Sequence, residues 1–258
     1  MDVSASGVDF SNQKVAIPKN QKDEFNALHE LPLALFTLIG AFITGWLWAR
    51  VLPNSIDLST WVFAALGAAA MALSTFHLGK PFKAYYSILN LKTSWISREI
   101  LLFTIFMLLG LISLYFKSKL LLFVSAGIGL LFLASVELIY SVMVKKFRTP
   151  IHSANTILTA FTFAAIFAQQ WSALIVLLAV KTVLFTIRTG ASEFGPKPFI
   201  ALVAFVRLVV GFLVPFGYLA FTEKSFSWWI ALSIIFGELI DRVLYYTDIE
   251  PERPFLKK

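Results

Sequence analysis

Cysteine is absent from the 258-residue chain. Disulfides, thiolate chemistry, cysteine-ligated zinc and iron–sulfur clusters are therefore excluded, and any cluster the chain serves must sit in a partner. Charge is scarce as well: 14% of residues are Asp, Glu, Lys or Arg, against about 25% in an average soluble protein. Histidine occurs at three positions only, His29, His77 and His152. What remains is 58% hydrophobic, includes 26 phenylalanines, and bunches its charges between apolar runs. That pattern belongs to lipid rather than to a soluble core. The net charge of +7 would suggest nucleic acid in a soluble protein. In a membrane protein basic residues collect in cytoplasmic loops, so a lipid partner and no nucleic acid are expected.

Apolar runs of about 17–25 residues, enough to cross a ~30 Å hydrocarbon layer, fall at 31–51, 58–79, 96–116, 120–144, 153–169, 171–189, 198–221 and 227–246. The breaks are short and carry turn residues, as in Leu52-Pro53-Asn54-Ser55 and Phe194-Gly195-Pro196-Lys197-Pro198. Gln169-Gln170-Trp171 barely parts the fifth and sixth runs, which reads as a tight helical hairpin. The expected fold is an all-α integral membrane protein, a bundle of eight transmembrane helices with both termini on the same side. A polar N-terminal tail at 1–28 and a polar C-terminal tail at 248–258 flank the helical domain at 29–247. The first apolar run follows a polar, mixed-charge segment and precedes no clear small-residue cleavage site, so no cleaved signal peptide is expected.

With an even span count, the basic residues of the two sides can be compared. Sixteen lie on the side of the termini and four, Arg50, Lys117, Lys119 and Lys224, on the other. Such asymmetry places the termini in the cytoplasm.

Charges within spans are costly in lipid, and six stand out: Glu99, Glu137, Lys181, Arg207, Glu238 and Asp241. Each lies within roughly 15 Å of the side of the termini, counting ~1.5 Å per residue. A pocket open to one side fits this better than a conduit. Glu137, Lys181, Arg207, Glu238 and Asp241 form a candidate intramembrane network, which either neutralises itself between helices or carries a proton or ligand contact. A bis-histidine haem needs facing histidines inside helices, whereas all three here sit at one edge, so no haem and no resident metal are expected.

His77 has unusual company. Leu78-Gly79-Lys80-Pro81 ends the second helix, since glycine can close it and proline cannot continue it. The chain then returns through Arg98-Glu99 into the third helix. This predicts His77 and Glu99 at one edge of neighbouring helices. An imidazole and a carboxylate so placed match two-electron, two-proton quinol chemistry. A helix-end histidine and an ion-paired glutamate would explain the same residues.

His77-Leu78-Gly79, Pro81 and Ser97-Arg98-Glu99 resemble the membrane-anchor subunit of dimethyl sulfoxide reductase, the DmsC family within the broader NrfD/PsrC-like group. His29-Glu30-Leu31-Pro32-Leu33, followed by Phe36-Thr37, is a second match. Looser agreement involves Glu137 with Tyr140, Arg148 with Pro150 and Asn155, and Gly237-Glu238. The resemblance spans the whole chain. It implies a haem-free subunit exchanging electrons between a quinone pool, menaquinone or ubiquinone, and a four-cluster ferredoxin-like iron–sulfur subunit. That subunit in turn serves a molybdopterin catalytic subunit, so the molybdenum cofactor lies in a partner. It implies His77 and Glu99 as quinone and proton-transfer residues, with Lys80, Lys83, Lys92, Arg98, His29 and Glu30 in supporting positions. In such systems the termini, quinone site and iron–sulfur subunit share one face. With the charge asymmetry, this implies a multi-pass protein of the inner (cytoplasmic) membrane with its partner subunits in the cytoplasm, and polar tails lying across them.

Overall fold

Long runs of Leu, Ile, Ala and Phe leave the backbone one local way to satisfy its own N–H and C=O groups, the i→i−4 ladder of an α-helix. A computed structural model describes residues 27–77, 95–143, 152–191, 198–222 and 226–248, without the side chains of 27–30, 76–77, 95, 140–143, 191, 198–200 and 247–248. Among the described residues there are eight helices and no strand: α1 (Ala27–Val51), α2 (Thr60–His77), α3 (Trp95–Phe116), α4 (Lys119–Met143), α5 (Thr156–Phe167), α6 (Trp171–Ala191), α7 and α8 (Trp228–Asp248). The seventh, α7, is a continuous run of Pro198–Leu208, a π-helical turn Val209–Leu213, and Val214–Phe221. The eight expected runs each coincide with one helix. The first helix starts at Ala27 and the last ends at Asp248, slightly outside the apolar runs read from sequence.

Five helices, α1, α3, α4, α6 and α7, are long and apolar enough to cross a membrane. Two of the others, α5 and α8, depart from that standard for visible reasons. The 12 residues of α5 extend about 18 Å, short of the hydrocarbon layer, and nine of them are buried. In α8 the length is sufficient, but Glu238, Asp241 and Arg242 interrupt its apolar sequence.

The hub is α1, which packs against α2, α4, α5 and α8. Its inward face is fully buried at Ala34, Thr37, Ala41, Thr44, Leu47 and Trp46. Small residues allow close crossings: a Cβ on Gly45 would strike the Ala160 carbonyl of α5, and one on Gly40 would meet Phe132 of α4 at 2.8 Å. Between α1, α3 and α4, Phe36, Phe103, Phe106 and Phe132 interlock with ring centroids 5.0–6.4 Å apart. Such edge-on and offset rings add directional preference to plain burial.

Thr37 Oγ1 accepts a 3.2 Å hydrogen bond from the Tyr246 hydroxyl, so the start of α1 lies beside the end of α8. We call this the near end of the bundle. At the far end, where α2 and α8 begin and α3 and α7 finish, Trp61, Tyr115, Phe116, Phe221, Trp228 and Trp229 are all exposed. An aromatic girdle of this kind suits a membrane–water boundary. There too the chain is pinned by Trp46 Nε1–H to the Ile56 carbonyl, Ile56 N–H to the Phe167 carbonyl, and an Arg50–Asp57 ion pair.

The π turn in α7 has an identifiable cause. Pro215 has no N–H to return to the preceding turn, and Val214 N–H bonds to the Val209 carbonyl five residues back. The Val210 carbonyl thereby released accepts the Ser233 hydroxyl of α8. Gly211 and Gly237 let the two helices meet just there, and a Cβ on Gly237 would fall 2.5 Å from the Gly211 Cα. Gly237→Val should therefore force the crossing apart at a cost of about 1–3 kcal/mol, read as a lower thermal unfolding midpoint in detergent. An unchanged midpoint would mean that the two helices do not cross at these glycines.

Candidate functional site

The chain enters α5 through a short non-helical segment, His152 to Asn155, that lies inside the bundle. Irregular backbone at such depth needs polar partners supplied by the protein. Asn155 caps α5 by accepting the Leu158 N–H at 3.0 Å. Glu137 of α4 accepts the Thr156 N–H at 2.6 Å and the Thr156 hydroxyl at 2.8 Å, so its charge sits on the positive end of the helix. Its other oxygen is 3.1 Å from His152 Nε2. The His152 ring stacks on Tyr245 of α8, centroids 4.0 Å apart and interplanar angle 7°. Both oxygens of Glu137 are thus engaged in holding α5 and His152.

A larger cluster occupies the space between α5, α6, α7 and α8. Glu238 Oε2 is 2.9 Å from Lys181 Nζ and 3.0 Å from Arg242 Nη1, and accepts the Thr159 hydroxyl at 2.8 Å. Its Oε1 is 3.4 Å from Arg207 Nη2. Asp241 Oδ2 is 2.9 Å from the same Arg207 nitrogen, while Oδ1 takes Arg188 Nη2 and the Ser153 hydroxyl, each at 2.9 Å. Lys181 also donates to Thr159 Oγ1 at 2.8 Å. Every one of these charged side chains is buried, none with more than 5% relative exposure. Arg207 further lies over the Phe212 ring, 3.8 Å from its centroid, and Arg188 over Phe185 at 5.3 Å. Aromatic faces of this kind stabilise guanidinium where water is excluded.

The expected network of Glu137, Lys181, Arg207, Glu238 and Asp241 therefore divides. Lys181, Arg207, Glu238 and Asp241 converge directly, while Glu137 belongs to the neighbouring His152 and Thr156 centre. Two further members, Arg188 and Arg242, are among the sixteen basic residues that the sequence places on the side of the termini; they are buried within the bundle. Spacing carried a signal for both. Arg242 follows Glu238 by one helical turn, and Arg188 lies two turns from Lys181 on the same face as buried Leu174, Leu178 and Phe185.

His77 is the last residue of α2 and Glu99 stands in the first turns of α3. Phe63 of α2 lies against Gly110 of α3, and Met107 of α3 against Gly67 of α2. This antiparallel register, continued toward the near end, brings His77 level with the start of α3. The Glu99 side chain is partly buried and lies within electrostatic reach of Tyr246. It makes no hydrogen bond and no ion pair among the described residues. Arg98 is partly buried in the same turn. The side chains of His77, His29 and Glu30, and all of Lys80, Lys83 and Lys92, lie outside the described residues. No group of three His, Asp or Glu side chains that could hold a metal ion occurs among the described residues.

Removing one carboxylate from the cluster leaves buried cations facing each other. Asp241→Asn should cost about 3–5 kcal/mol, seen as loss of the monodisperse folded peak on detergent gel filtration. Glu137→Gln keeps an acceptor for the start of α5 and should cost only about 1 kcal/mol. Equal behaviour of the two variants would contradict this division of the polar residues.

No family model matches the chain, and neither a curated protein nor a solved structure is similar to it.

Proposed function

We propose that the chain is a multi-pass membrane subunit of an oxidoreductase complex that exchanges electrons and protons with a quinone at its near end. The observation that carries this reading is Glu99. Of the acidic residues within helices whose side chains are described near that end, Glu137, Glu238 and Asp241 have their oxygens engaged by donors. Glu99 alone among them has no donor. A partly buried carboxylate with free acceptor capacity, level with a histidine at the edge of an apolar bundle, is equipped to take a proton from a bound hydroxyl group.

The group implied is a quinone or quinol, which supplies two-electron, two-proton redox chemistry when bound. Glu99 would accept one hydroxyl proton, His77 would contact the opposite side of the ring, and Arg98 would offset charge in the same turn. Electrons pass to iron–sulfur clusters in a ferredoxin-like partner, since this chain has no cysteine to hold one, and from there to a molybdopterin catalytic subunit. The resemblance to DMSO reductase anchor subunits supports this assignment of partners.

Basic residues support a cytoplasmic near end. With Arg188 and Arg242 removed from the count because they are buried in the bundle, the ratio is still fourteen to four. Both termini and the partner subunits would then face the cytoplasm, with the chain in the inner membrane.

A transporter is favoured by one observation only, the short α5 that begins inside the bundle beside buried charges. Against it, the far half of the bundle carries no acidic side chain inside a helix among the described residues.

The test is Glu99→Gln in the assembled complex. Quinone-linked electron flow should fall by about 10²-fold or more, while the partner subunits still co-purify with the membrane fraction. Unchanged flow with intact assembly would reduce the chain to a structural anchor, and loss of the partners would assign Glu99 to assembly.

A further inference from the structure

The cluster between α5 and α8 contains more cation than its carboxylates can answer. Lys181, Arg207 and Arg242 meet only Glu238 and Asp241 among the described residues, and Asp241 also takes Arg188. Both carboxylates are already saturated: each of their four oxygens faces a cationic nitrogen, and Ser153 and Thr159 add hydroxyl donors. Four guanidinium nitrogens nonetheless remain buried with no hydrogen-bond partner, Nε and Nη1 of Arg207 and Nε and Nη2 of Arg242. On Arg242 these two share one edge of the guanidinium plane. That is the fork that grips an oxyanion with two parallel hydrogen bonds. Arg207 and Arg242 flank the same glutamate, one on each oxygen. Leaving such donors and a formal positive charge unanswered in a buried site would cost several kcal/mol.

We propose that this cluster binds a phosphate-class oxyanion, held by the Arg242 fork with Arg207 beside it. The cluster lies toward the near end, where Arg188 occupies the last turn of α6. Two sources offer this chemistry, a free phosphate from the aqueous side and the headgroup of an acidic phospholipid in the adjoining leaflet. The outward faces of α6 and α7, with Val183, Ile187, Leu202 and Phe205 exposed, would lie against the acyl chains of such a lipid. Basic pockets between helices at a cytoplasmic membrane edge recognise acidic headgroups in this manner.

The full-length protein tests the site without reference to electron transfer. In a zwitterionic detergent, and in nanodiscs of phosphatidylcholine alone, inorganic phosphate should raise the thermal unfolding midpoint saturably over chloride at equal ionic strength. If the source is lipid, phosphatidylglycerol in the nanodisc should produce the rise by itself, and added phosphate should then do nothing. Arg242→Met removes a surplus cation and should still fold. Arg242→Lys keeps the charge and loses the fork. Both should weaken the response at least about tenfold in apparent affinity. Absence of any rise in the wild-type protein with either phosphate or phosphatidylglycerol overturns the proposal. So does a wild-type response that persists unchanged in Arg242→Lys.

Discussion

The arrangement of the later helices depends on the two carboxylates of α8. Glu238 and Asp241 lie one turn apart in the middle of a helix, and their oxygens reach α5 through Thr159, the segment leading into it through Ser153, α6 through Lys181 and Arg188, and α7 through Arg207. Dispersion alone would let apolar helices slide or rotate against one another, because lipid tails are as apolar as the leucines they would replace. A carboxylate with directional donors from three helices admits far fewer arrangements. Removing one partner strands the others without water, so the cluster sets position at a high cost for error.

This constraint explains two irregularities that sequence pattern alone would count as faults. Non-helical His152 to Asn155 can lie inside the bundle because Ser153 donates to Asp241, Asn155 caps α5 and Glu137 receives the first N–H of the helix. The π turn in α7 lies one turn beyond Arg207, at Gly211, where the guanidinium packs over the glycine contact with α8. Pro215 releases the backbone and Ser233 satisfies it. Both irregularities therefore adjoin the polar cluster, consistent with the tendency of π-bulges to occur near functional residues.

Helix number and limits were legible from hydrophobic run length, down to the hairpin at Gln169-Gln170, because a residue either suits a long apolar helix or ends it. The charged residues were legible as unusual but not as partners. Lys181, Arg207, Glu238 and Asp241 stood out against apolar neighbours, and the structure brings them together. Arg188 and Arg242 did not, since each lies near a helix end, where a basic residue ordinarily marks the membrane surface. Which way such an arginine turns depends on the rotation of the whole helix. For Arg188 the partners on another helix are Asp241 and Tyr245 of α8, while Arg242 lies along its own helix against Glu238. Glu137 illustrates the same limit: its depth suggested the common cluster, but its position on α4 faces the start of α5.

The division between engaged and free carboxylates bears on what the near end can do. A carboxylate that accepts two or more charged donors is fixed in place by them, which suits Glu238 and Asp241 to architecture. Proton exchange at useful rates needs the opposite, a group close to the edge and without fixed donors, and Glu99 meets that description. Tyr246 lies between the two regimes. It donates to Thr37 on α1 and stands within the fields of both Glu99 and Arg242. A surplus of positive charge behind Tyr246 would favour negative charge at the edge, and an oxyanion filling the Arg242 fork would weaken that influence. Under the proposed reading, the occupant of the buried cluster would therefore set how readily the near end parts with a proton, although the two sites share no ligand.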